Sequence, residues 1–143
     1  MKKIVVVFLA LVALATVGGC SSSDNDPTGS LCAPADFGGT WEGTLIIASG
    51  GGHEGYPFAV QLTPTGDKLT GNWMAKRIAV DKLHGVADGC TATFDVGNTN
   101  CPGWVMKGTM SFAAPGGSPE WSMTGTWCNG MKATGTAALT KVP

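Results

Sequence analysis

The chain has 143 residues, nine basic and ten acidic side chains and a net charge near −1. This is room for one domain, and it holds no basic stripe with interleaved aromatics, which argues against nucleic acid as a partner. Glycine is abundant at 22 residues, but it is dispersed among apolar positions rather than gathered into a low-complexity tract.

The first element is a targeting segment. "MKK" is followed by the apolar run "IVVVFLALVALATV" and then by "GGC". A short basic region, an apolar stretch and small residues describe a secretory signal, too short and wrongly flanked for a stable membrane span. Its end, Val17-Gly18-Gly19-Cys20, resembles the lipobox of bacterial lipoproteins. The resemblance implies cleavage after residue 19 and a diacylglycerol and an amide-linked fatty acid on Cys20, with a valine where the motif most often has leucine. It also implies a cell-envelope address with the membrane as partner through that lipid. Ser21, rather than Asp, after the lipidated position favours the outer membrane where the organism has one. Loss of Lys2 and Lys3 with the signal leaves seven basic and ten acidic residues, a net charge near −3.

"SSSDNDPTGS" follows. It buries too little apolar surface to fold and reads as a flexible tether. The expected organisation is a signal over 1–19, a lipidated Cys20 and tether over 20–35, and a folded domain over 36–143.

Within that domain no segment has a helical period. Period-2 alternation runs throughout, broken by turn residues. Eight strands are expected: Thr40–Ala48, Tyr56–Thr63, Lys68–Ala75, Ile78–Val86, Cys90–Val96, Trp104–Ala113, Trp121–Trp127 and Met131–Lys141. "PTGD" at 64–67 and "ADG" at 87–89 mark turns. Asn129-Gly130 is expected to form a type I′ hairpin turn, which needs positive φ at both central residues. One face collects Trp41, Gly43, Leu45 and Ile47, then Leu69, Gly71 and Trp73. Later strands add Trp104, Met106, Gly108, Met110 and Phe112; Trp121, Met123, Gly125 and Trp127; Met131, Ala133, Gly135 and Leu139. The opposite face is threonine, serine, lysine and glutamate, the pattern of an antiparallel sheet with one face in water.

The phrase Gly-Thr recurs in "GTWEGT", "KGTM", "TGTWCNG" and "ATGT". In each copy the glycine shares the apolar face with large side chains. Alternating large residues and glycine on a crowded concave face lets a ring lie over its neighbour's gap and lets the sheet coil and close. The expected fold is therefore all-β, an eight-stranded antiparallel up-and-down barrel, with a β-sandwich as the alternative. A transmembrane barrel would need an outward apolar face and longer strands.

Cys32, Cys90, Cys101 and Cys128 remain in the exported domain, an even number that implies two disulfides. No CxxC or His–Cys spacing supports a metal. In an eight-stranded meander Cys32 and Cys90 share the end where the tether enters, and Cys101 and Cys128 share the opposite end. Bridging needs Cα atoms within about 7 Å, so Cys32–Cys90 and Cys101–Cys128 are the expected pairs. The far mouth then carries "SGGGHEG" at 49–55, Lys76-Arg77, the loop 97–103 and the Asn129-Gly130 turn. Barrel mouths often hold ligands, so His53, Glu54, Lys76, Arg77 and Trp104 are the candidate binding residues. Gly50-Gly51-Gly52 lacks the Lys-Ser/Thr of a phosphate loop. No Gly-x-Ser-x-Gly occurs, and no carboxylate pair suggests acid–base chemistry. No cofactor and no enzyme activity are expected.

The barrel strands "GTWEGT", "LTGNW" and "MTGTWCNG" are similar to those of small bacterial lipoproteins with lipocalin-like or avidin-like barrels. The avidin residues that hold biotin have no recognisable counterpart. The resemblance implies a non-catalytic module that binds a small apolar ligand. A protein-interaction or inhibitor module acting through the far-end loops is the alternative. Because the tether is separate from the domain, Cys20→Ser is expected to leave a folded but unlipidated protein in the soluble fraction. Undiminished membrane association of that variant on fractionation would count against Cys20 as the anchor.

Overall fold

The computed structural model describes residues 31–76 and 78–143. The signal segment, Cys20, most of the tether and Arg77 lie outside the described residues.

Eight strands follow one another: β1 Gly39–Ser49, β2 Gly52–Thr65, β3 Lys68–Ala75, β4 Ala79–Asp88, β5 Thr91–Val96, β6 Val105–Ser111, β7 Glu120–Thr126 and β8 Lys132–Val142. Each pairs antiparallel with its neighbour in sequence, and β8 pairs back onto β1, so the sheet closes into a barrel. Closure removes both sheet edges, and the sandwich alternative is set aside. Strand bounds move from the expected ones by a few residues, most at the start of β2.

The inside is the face expected from the alternation. Trp41, Leu45, Ile47, Leu69, Trp73, Met106, Met110, Trp121, Met123, Ala133 and Leu139 are all buried, joined by Phe58, Val60, Leu62, Leu83, Ala92, Phe94 and Val96. Outside stand Thr44, Thr63, Thr70, Thr93, Lys107, Thr124 and Thr134, on the polar wall of the barrel. Ile46, Met74, Val80, Val86 and Val105 are also exposed on this wall.

The interior is filled. Trp121 lies across it, with ring centroids 5.4 Å from Phe58 and 5.4 Å from Phe94. Glycines on the inner face make room in two ways. A Cβ at Gly108 would sit 2.7 Å from the Trp121 ring, and one at Gly85 would sit 2.3 Å from the Phe94 ring. These are slots for side chains on neighbouring strands. At Gly71 and Gly125 the obstacle is backbone: a Cβ would fall 1.8 Å from the Gln61 carbonyl oxygen and 2.0 Å from that of Val105. There the glycine lets the adjacent strand approach and the sheet bend.

The two ends are closed differently. At the near end Pro34–Phe37 form one turn of 3₁₀ helix. Proline at the first position fixes φ and has no N–H to satisfy, and the Asp36 carboxylate accepts from the Ala33 N–H at 2.7 Å. This turn drives Phe37, fully buried, into the barrel mouth against Phe112 at 5.0 Å, and its carbonyl accepts from the Trp41 indole at 2.9 Å. The boundary drawn between residues 35 and 36 falls inside this plug, which a period-2 reading has no means of detecting. Cys32–Cys90 staples the plug to the start of β5, and Cys101–Cys128 joins the loops at the far end. Both are the pairs that strand parity selects.

The far-end hairpins differ from the expected turns. "SGGGHEG" is not a loop: Ser49 pairs with Gly52, and only Gly50 and Gly51 turn, with φ of 58° and 87°. Two successive positive φ values are what a two-residue type I′ turn demands and what glycine supplies freely. Asn129-Gly130 is displaced from the expected position. The turn bond runs from the Gly130 N–H to the Trp127 carbonyl, 2.9 Å, so Cys128 and Asn129 are the central pair and Gly130 follows with φ 79°. This is the turn-plus-bulge form of hairpin, and it puts Cys128 at the corner, where it meets Cys101. One consequence is that Met131, expected inside, is 48% exposed on the rim.

Gly125→Val is expected to cost about 1–3 kcal/mol or more, because the new Cβ collides with rigid backbone, whereas Thr124→Val on the outer wall should change stability by less than about 0.5 kcal/mol. Urea unfolding of the two variants checks this; equal effects would mean the inside and outside faces are exchanged.

Candidate functional site at the far mouth

The strands are unequal. β1 and β2 have 11 and 14 residues, and β5, β6 and β7 have 6, 7 and 7. At the far end β1 stays paired with β8, Ser49 opposite Ala133, and β8 with β7, Gly125 opposite Ala133, whereas β3 stops at Ala75 opposite Phe58, so the start of β2 runs on past β3. Between this part of the β1–β2 hairpin and the 127–131 turn lies a hollow of about 410 Å³, lined by Ile47, Ser49, Gly52, Glu54, Tyr56, Trp127, Cys128, Asn129 and Met131. Its size is at the lower end for small-molecule sites.

The floor is aromatic. Trp127 meets Trp104 edge-on at 4.9 Å, and Trp104 stacks on Trp73 at 5.6 Å. Both deeper indoles are held by backbone: Trp104 donates to the Val96 carbonyl at 2.7 Å and Trp73 to the Gly97 carbonyl at 2.8 Å. On β2 the Tyr56 hydroxyl donates to the Glu54 carboxylate. In the turn, the Asn129 side-chain oxygen accepts from the Met131 N–H at 3.1 Å, so that oxygen is committed to the turn's own shape.

The rim is fastened from the other side as well. Asp81, on β4, accepts from the Lys82 N–H at 2.7 Å and from the Thr99 N–H. The Thr99 bond, then the Lys82 bond, holds the Asp81 carboxyl below the ordinary aspartate range. The 97–103 loop is thereby tied to β4, the loop's Cys101 is tied to Cys128, and Cys128 lines the hollow.

The candidate residues separate. Inside β2 the buried Phe58, Val60 and Leu62 set the parity, and stepping back by two gives Tyr56 and Glu54 facing in. His53, one residue away, faces out and lines a groove beside Gly50 and Lys132. The His53–Glu54 adjacency therefore does not make a two-residue site. Lys76 borders a second hollow, of about 540 Å³, together with Glu54, Tyr56 and Pro57. Trp104 is buried and supports Trp127 from beneath rather than lining the hollow. Arg77 lies outside the described residues. The other histidine, His84, is on the outer wall opposite Asp95, whose carboxylate pairs with Lys107.

Of the nine lining residues only Glu54 was a named candidate; Ser49, Gly52, Cys128 and Asn129 fall in segments that the sequence places at this mouth, and Ile47, Tyr56, Trp127 and Met131 do not. Strand parity could have supplied Tyr56, since it is two residues from Phe58. The hollow itself depends on where each strand ends at the rim, which parity does not encode. Searches against protein-family models and against curated proteins return no match for the chain.

Because the Asp81 carboxyl is lowered, its anionic form favours the folded loop. That contribution is present above the ordinary aspartate value of about 3.9 and is lost as pH falls through the lowered folded value. The Thr99 amide is expected to be protected from hydrogen exchange at pH 7 and to lose protection in acid. In Asp81→Asn the pH 7 protection is expected to be weaker and the acid step absent. An unaltered Thr99 protection factor in the variant would deny Asp81 this role.

Proposed function

We propose that this protein is a lipid-anchored, non-catalytic binding module of the cell envelope that takes a small, largely apolar ligand at its membrane-distal mouth. The observation that carries the reading is the contrast between a barrel whose bore is filled by buried side chains and the indole-floored hollow of about 410 Å³ at the far rim. A packed bore excludes a deep calyx, so the ligand site moves to the mouth.

Anchoring through Cys20 fits the geometry of the domain. Cys32 and its disulfide lie at the near end, and the hollow lies at the other. Twelve residues separate Cys20 from Cys32, a span of at most about 40 Å when fully extended. A tether of that reach would hold the plugged end toward the bilayer and the hollow away from it. A non-catalytic role is supported by the site's side chains: Glu54 is the single carboxylate in the hollow, and the neighbouring histidine faces the opposite way.

The second reading is a protein-interaction module, favoured by the same packed bore and by the exposed Met131 on a rim stiffened by a disulfide. Native mass spectrometry of the full-length protein, purified from its host in nonionic detergent, separates the two. A retained small molecule, lost in Trp127→Ala, is expected. A retained polypeptide would establish the second reading, and a bare protein with no mass change on incubation with a host extract would remove both.

A further inference from the structure

We infer that the distal hollow is selective for a small organic cation, an ammonium group carrying alkyl substituents. The inference rests on the hollow being the binding site and adds the chemistry of the head group it receives.

Several of the groups lining the hollow are electron-rich. Glu54 brings a full negative charge, and the Tyr56 hydroxyl that donates to it holds the carboxylate in place. Among the described residues Glu54 forms no ion pair: Lys76 borders the neighbouring hollow with it but lies beyond salt-bridge distance. Two half-buried rings, Tyr56 on β2 and Trp127 at the end of β7, stand at the two flanks of the lining arc, with Ile47 and Met131 from the strands between them. Ring faces attract cations through their quadrupole, indole most strongly, and a methionine sulfur is polarisable.

Three ligand classes can be compared on these grounds. An anion meets the Glu54 charge and is repelled. A neutral apolar ligand fills the space but gains nothing from the charge of the exposed Glu54. A compact, strongly hydrated ion keeps its water and gains little from rings and aliphatic side chains. An alkylated ammonium is weakly hydrated, presents apolar surface to Ile47, Met131 and Trp127, and places its charge where Glu54 can meet it. Its charge is also fixed, so it needs no donor geometry from the site.

The test uses full-length protein in nonionic detergent at constant ionic strength. Choline is titrated against 3,3-dimethylbutan-1-ol, its neutral isostere, following tryptophan fluorescence and calorimetric heat. Choline is expected to bind roughly tenfold more tightly than the alcohol, the scale of a partly desolvated cation–ring contact reinforced by a carboxylate. Glu54→Gln, a substitution on the rim that leaves the core intact, is expected to erase that preference while the alcohol still binds. Trp127→Leu is expected to weaken choline more than the alcohol. His53→Gln, on the outward face next door, is expected to change neither. Equal binding of choline and alcohol, or a preference that survives Glu54→Gln, overturns the cation inference and leaves the hollow as a site for neutral ligands. Failure of both probes, with a ligand of another class retained in native mass spectrometry, also overturns it while the binding-module reading stands. Failure of both with nothing retained overturns the two together.

Discussion

A closed sheet of eight strands has a bore just wide enough for side chains to fill, and in this protein the bore is spanned by one indole. Trp121 reaches from β7 to lie between Phe58 of β2 and Phe94 of β5. It can do so only because β6 beside it carries Gly108, where any Cβ would meet the ring. The same logic repeats at Gly85 under Phe94 and at Gly135 under Met123. Shape alone holds the ring: the Trp121 indole N–H finds no acceptor among the described residues. Leaving such a donor unpaired costs about 1–3 kcal/mol, so the contacts of the ring must outweigh that cost. At Gly108 and Gly135 the recurring Gly-Thr phrase is thus a packing device, a notch facing in with a β-branched residue beside it, and at Gly43 and Gly125 the same phrase admits a neighbouring backbone.

A filled bore sends recognition to the ends, and the two ends are not equivalent. The near end is stopped by Phe37 and Phe112 beneath a proline-started turn. At the far end the floor is three linked indoles, and the wall is uneven because β2 runs on past the end of β3. The hollow lies between this part of β2 and the 127–131 turn. Its rim is held where it matters for shape: the 127–131 turn by a disulfide and the facing loop by Asp81, while the hairpin closes in two glycines that take positive φ without strain. A binding site fixed before the ligand arrives avoids an ordering cost at the moment of binding.

How much of this could be read from the sequence follows from the length scale of each feature. Alternation is local, so the inner face of nearly every strand was legible from runs such as Trp41-Gly43-Leu45-Ile47, and with it the closed barrel and the disulfide pairing that depends on strand parity. Turn identity was less legible, because glycine signals both loops and tight turns. "SGGGHEG" carries strand residues up to the two-glycine bend, and the turn expected at Asn129-Gly130 is centred one residue earlier, on Cys128 and Asn129. The plug is a single 3₁₀ turn with no periodicity to detect. The hollow was least legible of all, since the β1–β2 hairpin and the 127–131 turn that line it are far apart in the chain. Glu54 was found as a candidate by its position beside a histidine, and its partners Tyr56 and Trp127 were found only through the fold.

The placement of the two disulfides connects stability to this division of labour. Closing loops of 58 and 27 residues, they restrict the unfolded chain by about 4 and 3.5 kcal/mol in the entropy model, a large share of what a domain of this size has in total. Their locations add a mechanical role. β1 is the strand on which closure depends, since it pairs with both β2 and β8. Any pull on the chain before Cys32 would peel β1 first if nothing intervened. The Cys32–Cys90 bond lies ahead of β1 and passes such a pull to the β4–β5 corner, where it acts on a covalent link rather than on a ladder of hydrogen bonds. The plug between Cys32 and β1 is shielded in the same way. With the near end insulated, motion upstream of Cys32 need not reach the bore, and the shape of the far rim is left to its own hairpins and the second bridge.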